Sequence, residues 1–243
     1  MPQPQRWEST GGFGGPKWPR SMRWWSATQW IIAINVVVFV ADLLSGRQLT
    51  EYGAFSASAA IFHLQLWRWV TCDFLHADPY HLLFNMLALW AFGPAVELRL
   101  RRDRYVAFYL ISGLGGILGY LLLWRLNILS TTGDTQLIGA SACIFGVLVA
   151  AAHLSPQSLI RLMFPPVSLT LRTVAWICIG LAVLEIAYHG ENAGGQAAHL
   201  GGAAVGYVLI RNVEWLRLLR VGPKRQRFWR PNDPPENFFR KDL

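Results

Sequence analysis

Charge is what this 243-residue chain has least of. Only 15% of its residues are Asp, Glu, Lys or Arg, against 53% hydrophobic; a soluble domain carries about 25% charged residues. The charges crowd into the two ends and short loops, leaving long apolar runs between. Disulfide chemistry is nearly absent too: the three cysteines, Cys72, Cys143 and Cys178, are odd in number and form no CxxC pair, so they read as packing residues rather than as a disulfide or metal framework. An early apolar leader is missing. The first 27 residues are polar, basic and rich in Gly and Pro, so no secretory signal peptide is expected in them.

Apolar runs of about 17–25 residues span a bilayer core of about 30 Å, and six can be drawn: about Thr28–Leu44, Tyr80–Val96, Tyr105–Trp124, Ile138–Leu154, Leu169–Tyr188 and Ala197–Leu216. The fold class is therefore an all-α membrane protein, a six-helix transmembrane bundle. Residues 1–27 are expected to be a disordered basic tail, 28–216 the membrane domain, and 217–243 a basic, proline-containing tail. When each Lys and Arg is assigned to its nearest loop or tail, 19 of the 22 fall on one side of a six-span arrangement. Cytoplasmic loops carry that excess, so both termini are expected in the cytoplasm. The same bias accounts for the net charge of +8 without nucleic acid as a partner. The expected partner is the lipid bilayer, and the expected address the cell membrane. The first loop, about Ser45–Pro79, is half apolar; Ala54–Leu66 reads as a re-entrant or interfacial element.

Polar groups inside spans are costly, and each is a candidate for function. His81 and Asn85 lie four apart near the outer end of the second span, on one helix face; as a pair they read equally well as hydrogen-bonding glue between helices. Ser141 opens the short fourth span within Gly139-Ala140-Ser141-Ala142. Free N–H groups at a helix start suit an oxyanion. His199 opens the sixth span, and Gly202 and Gly206 share its face. Opposite, the fourth span offers Ala142, Gly146 and Ala150. Small residues on both sides permit near-backbone approach, which would bring Ser141 and His199 to one depth as a serine beside a base.

Four motifs in order resemble the rhomboid family of intramembrane serine proteases: Trp67-Arg68, the His76–Asn85 segment, Gly139-Ala140-Ser141-Ala142, and Ala198-His199 with Gly202 and Gly206. The resemblance covers roughly Trp67 to Gly206. It implies Ser141 as nucleophile and His199 as general base, with His81, Asn85 and the Ser141 backbone N–H as the oxyanion hole. It implies transmembrane proteins as substrates and no metal or other cofactor. Trp67, Arg68 and Glu97 would be structural, the first two anchoring the first loop. Glu97 would tie down the end of the second span, with Arg99, Arg101 and Arg102 its expected partners on charge grounds. Two residues depart from the family pattern: Ala142 stands where glycine is usual, and Phe145 where many members have tyrosine. The phenyl ring can still stack on His199. Glu185 is the one candidate to orient His199. Competing readings are a metallohydrolase built from His76, His81 and His199 with Asp73 or Asp78, a catalytically inactive relative that binds membrane helices, and a small transporter.

Overall fold

The computed structural model describes residues 25–161 and 167–217. The outer parts of both expected tails lie outside the described residues. The chain runs through α1 (Ala27–Leu44), α2 (Gln48–Gly53), a π-helical turn (Ser58–Phe62), α3 (Arg68–Thr71) and a 3₁₀ turn (Cys72–Phe74). It continues through α4 (Pro79–Leu100), α5 (Arg102–Arg125), α6 (Ser141–Leu154), β1 (Leu159–Arg161), β2 (Ser168–Thr170), α7 (Leu171–Ala187), α8 (Ala193–Arg211) and a 3₁₀ turn (Val213–Arg217). The protein is mostly helical. One small antiparallel ribbon interrupts the pattern, pairing Leu159 with Thr170 and Arg161 with Ser168; the sequence reading had no strand there.

Local chemistry starts several of these helices. Ser26 and Gln29 form a reciprocal capping box at α1. Asp78 accepts from the Tyr80 and His81 N–H groups, with Pro79 in the first turn of α4. Thr170 accepts from Thr173 N–H and caps α7. α1, α4 and α5 are long and apolar enough to cross a membrane. The other expected spans correspond to α6, α7 and α8, of 14, 17 and 19 residues.

Some boundaries move. The second span extends past Val96 to Leu100, and the fourth begins at Ser141, three residues later than expected. The sixth begins at Ala193 and ends at Arg211, with the next residues in a separate 3₁₀ turn. Gly194 and Gly195 look like loop residues in isolation. Here Gly194 is buried, and a Cβ on it would stand 3.3 Å from the Tyr120 ring; close packing recruits it into the helix.

α8 is the centre of the bundle. A Cβ on Gly201 would strike the Gly115 carbonyl of α5, one on Gly202 the Ala142 carbonyl of α6, and one on Gly206 the Gly146 Cα. At these places only hydrogen fits between the backbones.

On the other side, polar side chains join the elements. Buried Glu97, near the end of α4, accepts from Ala27 N–H at 2.7 Å, Thr28 N–H at 2.9 Å and the Thr28 hydroxyl at 2.8 Å. Its partner is thus the start of α1, and not Arg99, Arg101 or Arg102 as charge alone suggested. Unpaired N–H groups and the helix dipole make a helix start a ready cationic partner. Arg68 donates to the carbonyls of Ala54 and Glu51 and to Gln65, while the Trp67 indole donates to the Tyr52 carbonyl. These bonds gather the first loop. Ala54, Phe55, Ala57 and Ala60 of that loop are fully buried, while Phe62, Leu64 and Leu66 are exposed.

Candidate active site

Ser141 is the first residue of α6, and the chain before it is held from two sides. Phe55 and Leu137 exchange both backbone hydrogen bonds, at 3.0 and 2.8 Å, and Gly139 N–H donates to the Cys72 carbonyl at 2.9 Å. Gly139 has φ +122°, which favours glycine. A Cβ there would also lie 2.8 Å from His81 Nε2 and 3.6 Å from Ser141 Oγ. The imidazole of His81 and the hydroxyl of Ser141 therefore flank the same backbone position.

His199, nearly two turns into α8, brings Nε2 to 2.7 Å from Ser141 Oγ. Its Nδ1 lies 2.9 Å from Gln196 Oε1. An amide oxygen only accepts, so this contact puts the ring proton on Nδ1 and leaves Nε2 to accept from the serine hydroxyl. The Phe145 ring lies parallel to the imidazole, with centroids 4.3 Å apart at 11°. The missing tyrosine hydroxyl does not prevent the stack.

Gln196 is a residue to which the sequence reading gave no role. The signal was there: positions three apart in a helix lie on one face. Glu185, the earlier candidate for that place, points elsewhere. Its Oε1 accepts from Asn192 N–H at 3.2 Å, tying the end of α7 to the turn before α8.

His81 Nδ1 accepts from Ala77 N–H at 3.4 Å, so its Nε2 carries the proton as a donor. Asn85 lies one turn further along α4, on the same face, and is buried. Its Nδ2 has no hydrogen-bond partner among the described residues. A buried amide donor without a partner costs about 1–3 kcal/mol, a cost that a ligand oxygen would remove. No side chain caps the start of α6, so its first N–H groups are open as well.

Behind His81 lies His76, fully buried, its ring edge-on to His81 at 5.0 Å. Burial and the neighbouring His81 push its pKa down to about 4, which keeps it neutral at pH 7. Asp73, also buried, lies beside Gly113 of α5 and Cys143 of α6. Burial pushes its carboxyl up to about 7, although a bond from the Cys143 thiol pulls the other way. Asp78 serves as the cap of α4. Among the described residues no three His, Cys, Asp or Glu side chains gather as a metal site, so the metallohydrolase reading finds no ligand set.

The rhomboid domain model matches residues 63–213, a stretch that includes every side chain just described except those of the early first loop and α1. The chain belongs to the rhomboid family. It is 33% identical over 159 residues to the mitochondrial Rhomboid protein 1 of Saccharomyces cerevisiae, covering 63% of this chain and 42% of that protein. To the rhomboid protease GluP of Bacillus subtilis it is 27% identical over 190 residues, covering 74% and 33%. To the rhomboid protease GlpG of Serratia proteamaculans it is 24% identical over 182 residues, covering 74% and 59%. The chain thus spans less than two thirds of the length of each of these rhomboid relatives.

Proposed function

We propose that this rhomboid is an intramembrane serine protease that cuts transmembrane proteins with Ser141 and His199. The observation that carries the reading is the 2.7 Å contact between Ser141 Oγ and His199 Nε2 at the start of a short helix. In the proposed reaction His199 takes the hydroxyl proton as Ser141 Oγ attacks the scissile carbonyl. The oxyanion that forms is received by the Nε2–H of His81, the amide of Asn85 and the Ser141 backbone N–H. The leaving amine takes the proton from His199, and water, activated by the same imidazole, then releases the acyl group from Ser141. A positioned His base is worth about 10²–10⁴ in rate.

The same reading takes α6, α7 and α8 as spans alongside α1, α4 and α5, giving six, with both termini in the cytoplasm on the strength of the Lys and Arg distribution. α6, at 14 residues, is about 21 Å long. It can start below the outer face, so water reaches Ser141 from outside through a recess. The turn between α7 and α8, with helix α7, is the proposed gate. The substrate is a membrane protein whose helix can unwind near its outer end. The proposed address is the cell membrane, which fractionation checks.

A transmembrane reporter and a fluorophosphonate probe test the chemistry. The native chain should cleave the reporter and take the probe. Ser141→Ala and His199→Ala should remove both signals while the protein remains folded in detergent. Cleavage that survives Ser141→Ala would sink the proposal.

A further inference from the structure

Arg47 lies outside every sequence motif named above, yet its side chain reaches the segment that leads into His81. It follows α1 in a left-handed conformation, φ +70°, which is uncommon for a residue with a side chain and is kept when surrounding contacts over-determine it. The contacts are specific. Nη1 pairs with Asp42 Oδ2 at 3.1 Å and donates to the His76 carbonyl at 2.9 Å; Nη2 donates to the Ala77 carbonyl at 2.6 Å. The guanidinium also sits over the Phe39 ring, 5.4 Å from its centre. Asp42, in the last turn of α1, is 1% exposed. Its other bonds come from Thr50 N–H at 2.8 Å and the Thr50 hydroxyl at 2.6 Å. The carboxylate is thereby fixed to α2 while it holds Arg47.

The His76 carbonyl and the Ala77 N–H belong to one peptide unit. That unit is planar and trans, so its C=O and N–H point in opposite directions. Arg47 grips the oxygen end, and His81 Nδ1 receives the hydrogen end. A cationic donor on the carbonyl also polarises the N–H beyond it, since hydrogen bonds in chains strengthen one another. The second grip, on the Ala77 carbonyl, stops the plane from rotating.

We infer that Arg47, held by Asp42, is a positioning residue for His81: it locks the His76–Ala77 peptide so that its N–H caps Nδ1 and leaves the proton on Nε2, facing Ser141. This rests on the protease reading for its purpose, although the His81 tautomer is a property of the folded chain alone. Arg47 touches no reacting atom. Its effect is to keep a donor aimed where negative charge would develop, a requirement that preorganised donors meet before the reaction begins.

The test uses the full chain in liposomes. Arg47→Gln is expected to lower kcat for the transmembrane reporter about tenfold, a share of the loss expected for one oxyanion donor, with KM changed by less than about twofold. In a His81→Phe background the same substitution should change kcat by less than about twofold, because residues acting through one another are not additive. An equal loss in both backgrounds would overturn the inference, since the guanidinium would then act elsewhere. Should Arg47→Gln fail to fold, Arg47→Lys, which keeps the charge and can reach one carbonyl, is put through the same two backgrounds with the same criteria. Nitrogen chemical shifts of the His81 ring give a readout that needs no cleavage. The native chain should show the Nε2–H tautomer, and the Arg47 variant a mixture; a native ring protonated on Nδ1, or a tautomer unchanged by the substitution, overturns the inference. Reporter cleavage that survives Ser141→Ala would remove the protease reading and leave the tautomer result standing.

Discussion

Where α8 meets α5 and α6, backbone touches backbone across glycines; where α4 meets α1 and the first loop, side chains reach across the gaps. Ser141 and His199 belong to the first region, His81 and Asn85 to the second. In the first, position is set by volume: Gly201, Gly202 and Gly206 leave no room for a Cβ. In the second it is set by directed bonds, accepted by Glu97 and Asp42 and donated by Arg47 and Arg68. Two kinds of rigidity therefore hold the candidate site of this chain. Steric contact fails all at once, whereas a set of hydrogen bonds is lost a bond at a time.

The strongest way to break the contrast is at the seam. Gly202→Val should cost more than about 4 kcal/mol, since backbone rather than a flexible side chain stands in the way, and should leave no folded protein in detergent. A folded and active Gly202→Val would show that α6 and α8 can slide apart, and the contrast would fall. On the other side, Asn85→Ala should leave folding close to native and lower kcat by about 10²–10³. The residue loses a donor that has no partner among the described residues, so thermal unfolding should hardly move. A large drop in melting temperature would instead make Asn85 interhelical glue.

Asp73 sits at the join of the two regions and sharpens the comparison through pH. Its folded pKa, about 7, is raised by burial above the ordinary carboxylate value of 3.8. The folded state thus holds a proton that the unfolded chain gives up between about pH 4 and 7. The group's contribution is fully present below pH 4 and is lost as pH rises through 7. Asp73→Asn should therefore gain on the native chain by on the order of a few kcal/mol at pH 8 and not at pH 4, read from unfolding midpoints at both. His76 works in the opposite sense, because its folded pKa is depressed to about 4. It favours the folded state less as pH falls from about 6.5 to 4. A stability difference independent of pH would remove Asp73 from the titration. The smallest effect is expected at Gln196. Gln196→Ala should lower kcat about tenfold through a less well-oriented His199, and Gln196→Glu should keep most of the rate, since the carboxylate still accepts from Nδ1. Equal kcat in Gln196→Ala and the native chain would mean that Phe145 stacking alone positions the imidazole.

Much of the first region was legible in the sequence. Ser141, His199 and the small residues on their helix faces declare themselves by spacing, because a helix puts three- and four-residue intervals on one face. The second region was harder to read. Glu97 was matched to nearby arginines by charge, but a helix start carries its positive end in backbone N–H groups that no residue letter records. Arg47 is invisible for a related reason: its partners are carbonyls about thirty positions away in sequence, brought close by a loop whose path is set by burial of Ala54, Phe55 and Ala60. Asp42 and Arg47 lie in sequence where a span ends, and there a charged pair looks like an ordinary headgroup-level boundary. Glu185 was weighed as the partner of His199 because it was the carboxylate near that end of the bundle. An amide three residues before the histidine did the orienting instead, and amides attract less notice than charges.

The bridge between Phe55 and Leu137 has one more consequence. Two backbone bonds join the first loop to the chain four residues before Ser141, and the exposed Phe62, Leu64 and Leu66 belong to that loop. Under the protease reading, a force on those side chains, whether from lipid crowding or an arriving helix, would be passed through the two bonds toward Ser141 Oγ. The surrounding bilayer would then be a mechanical setting on the chemistry, tunable by its tension and its acyl-chain order.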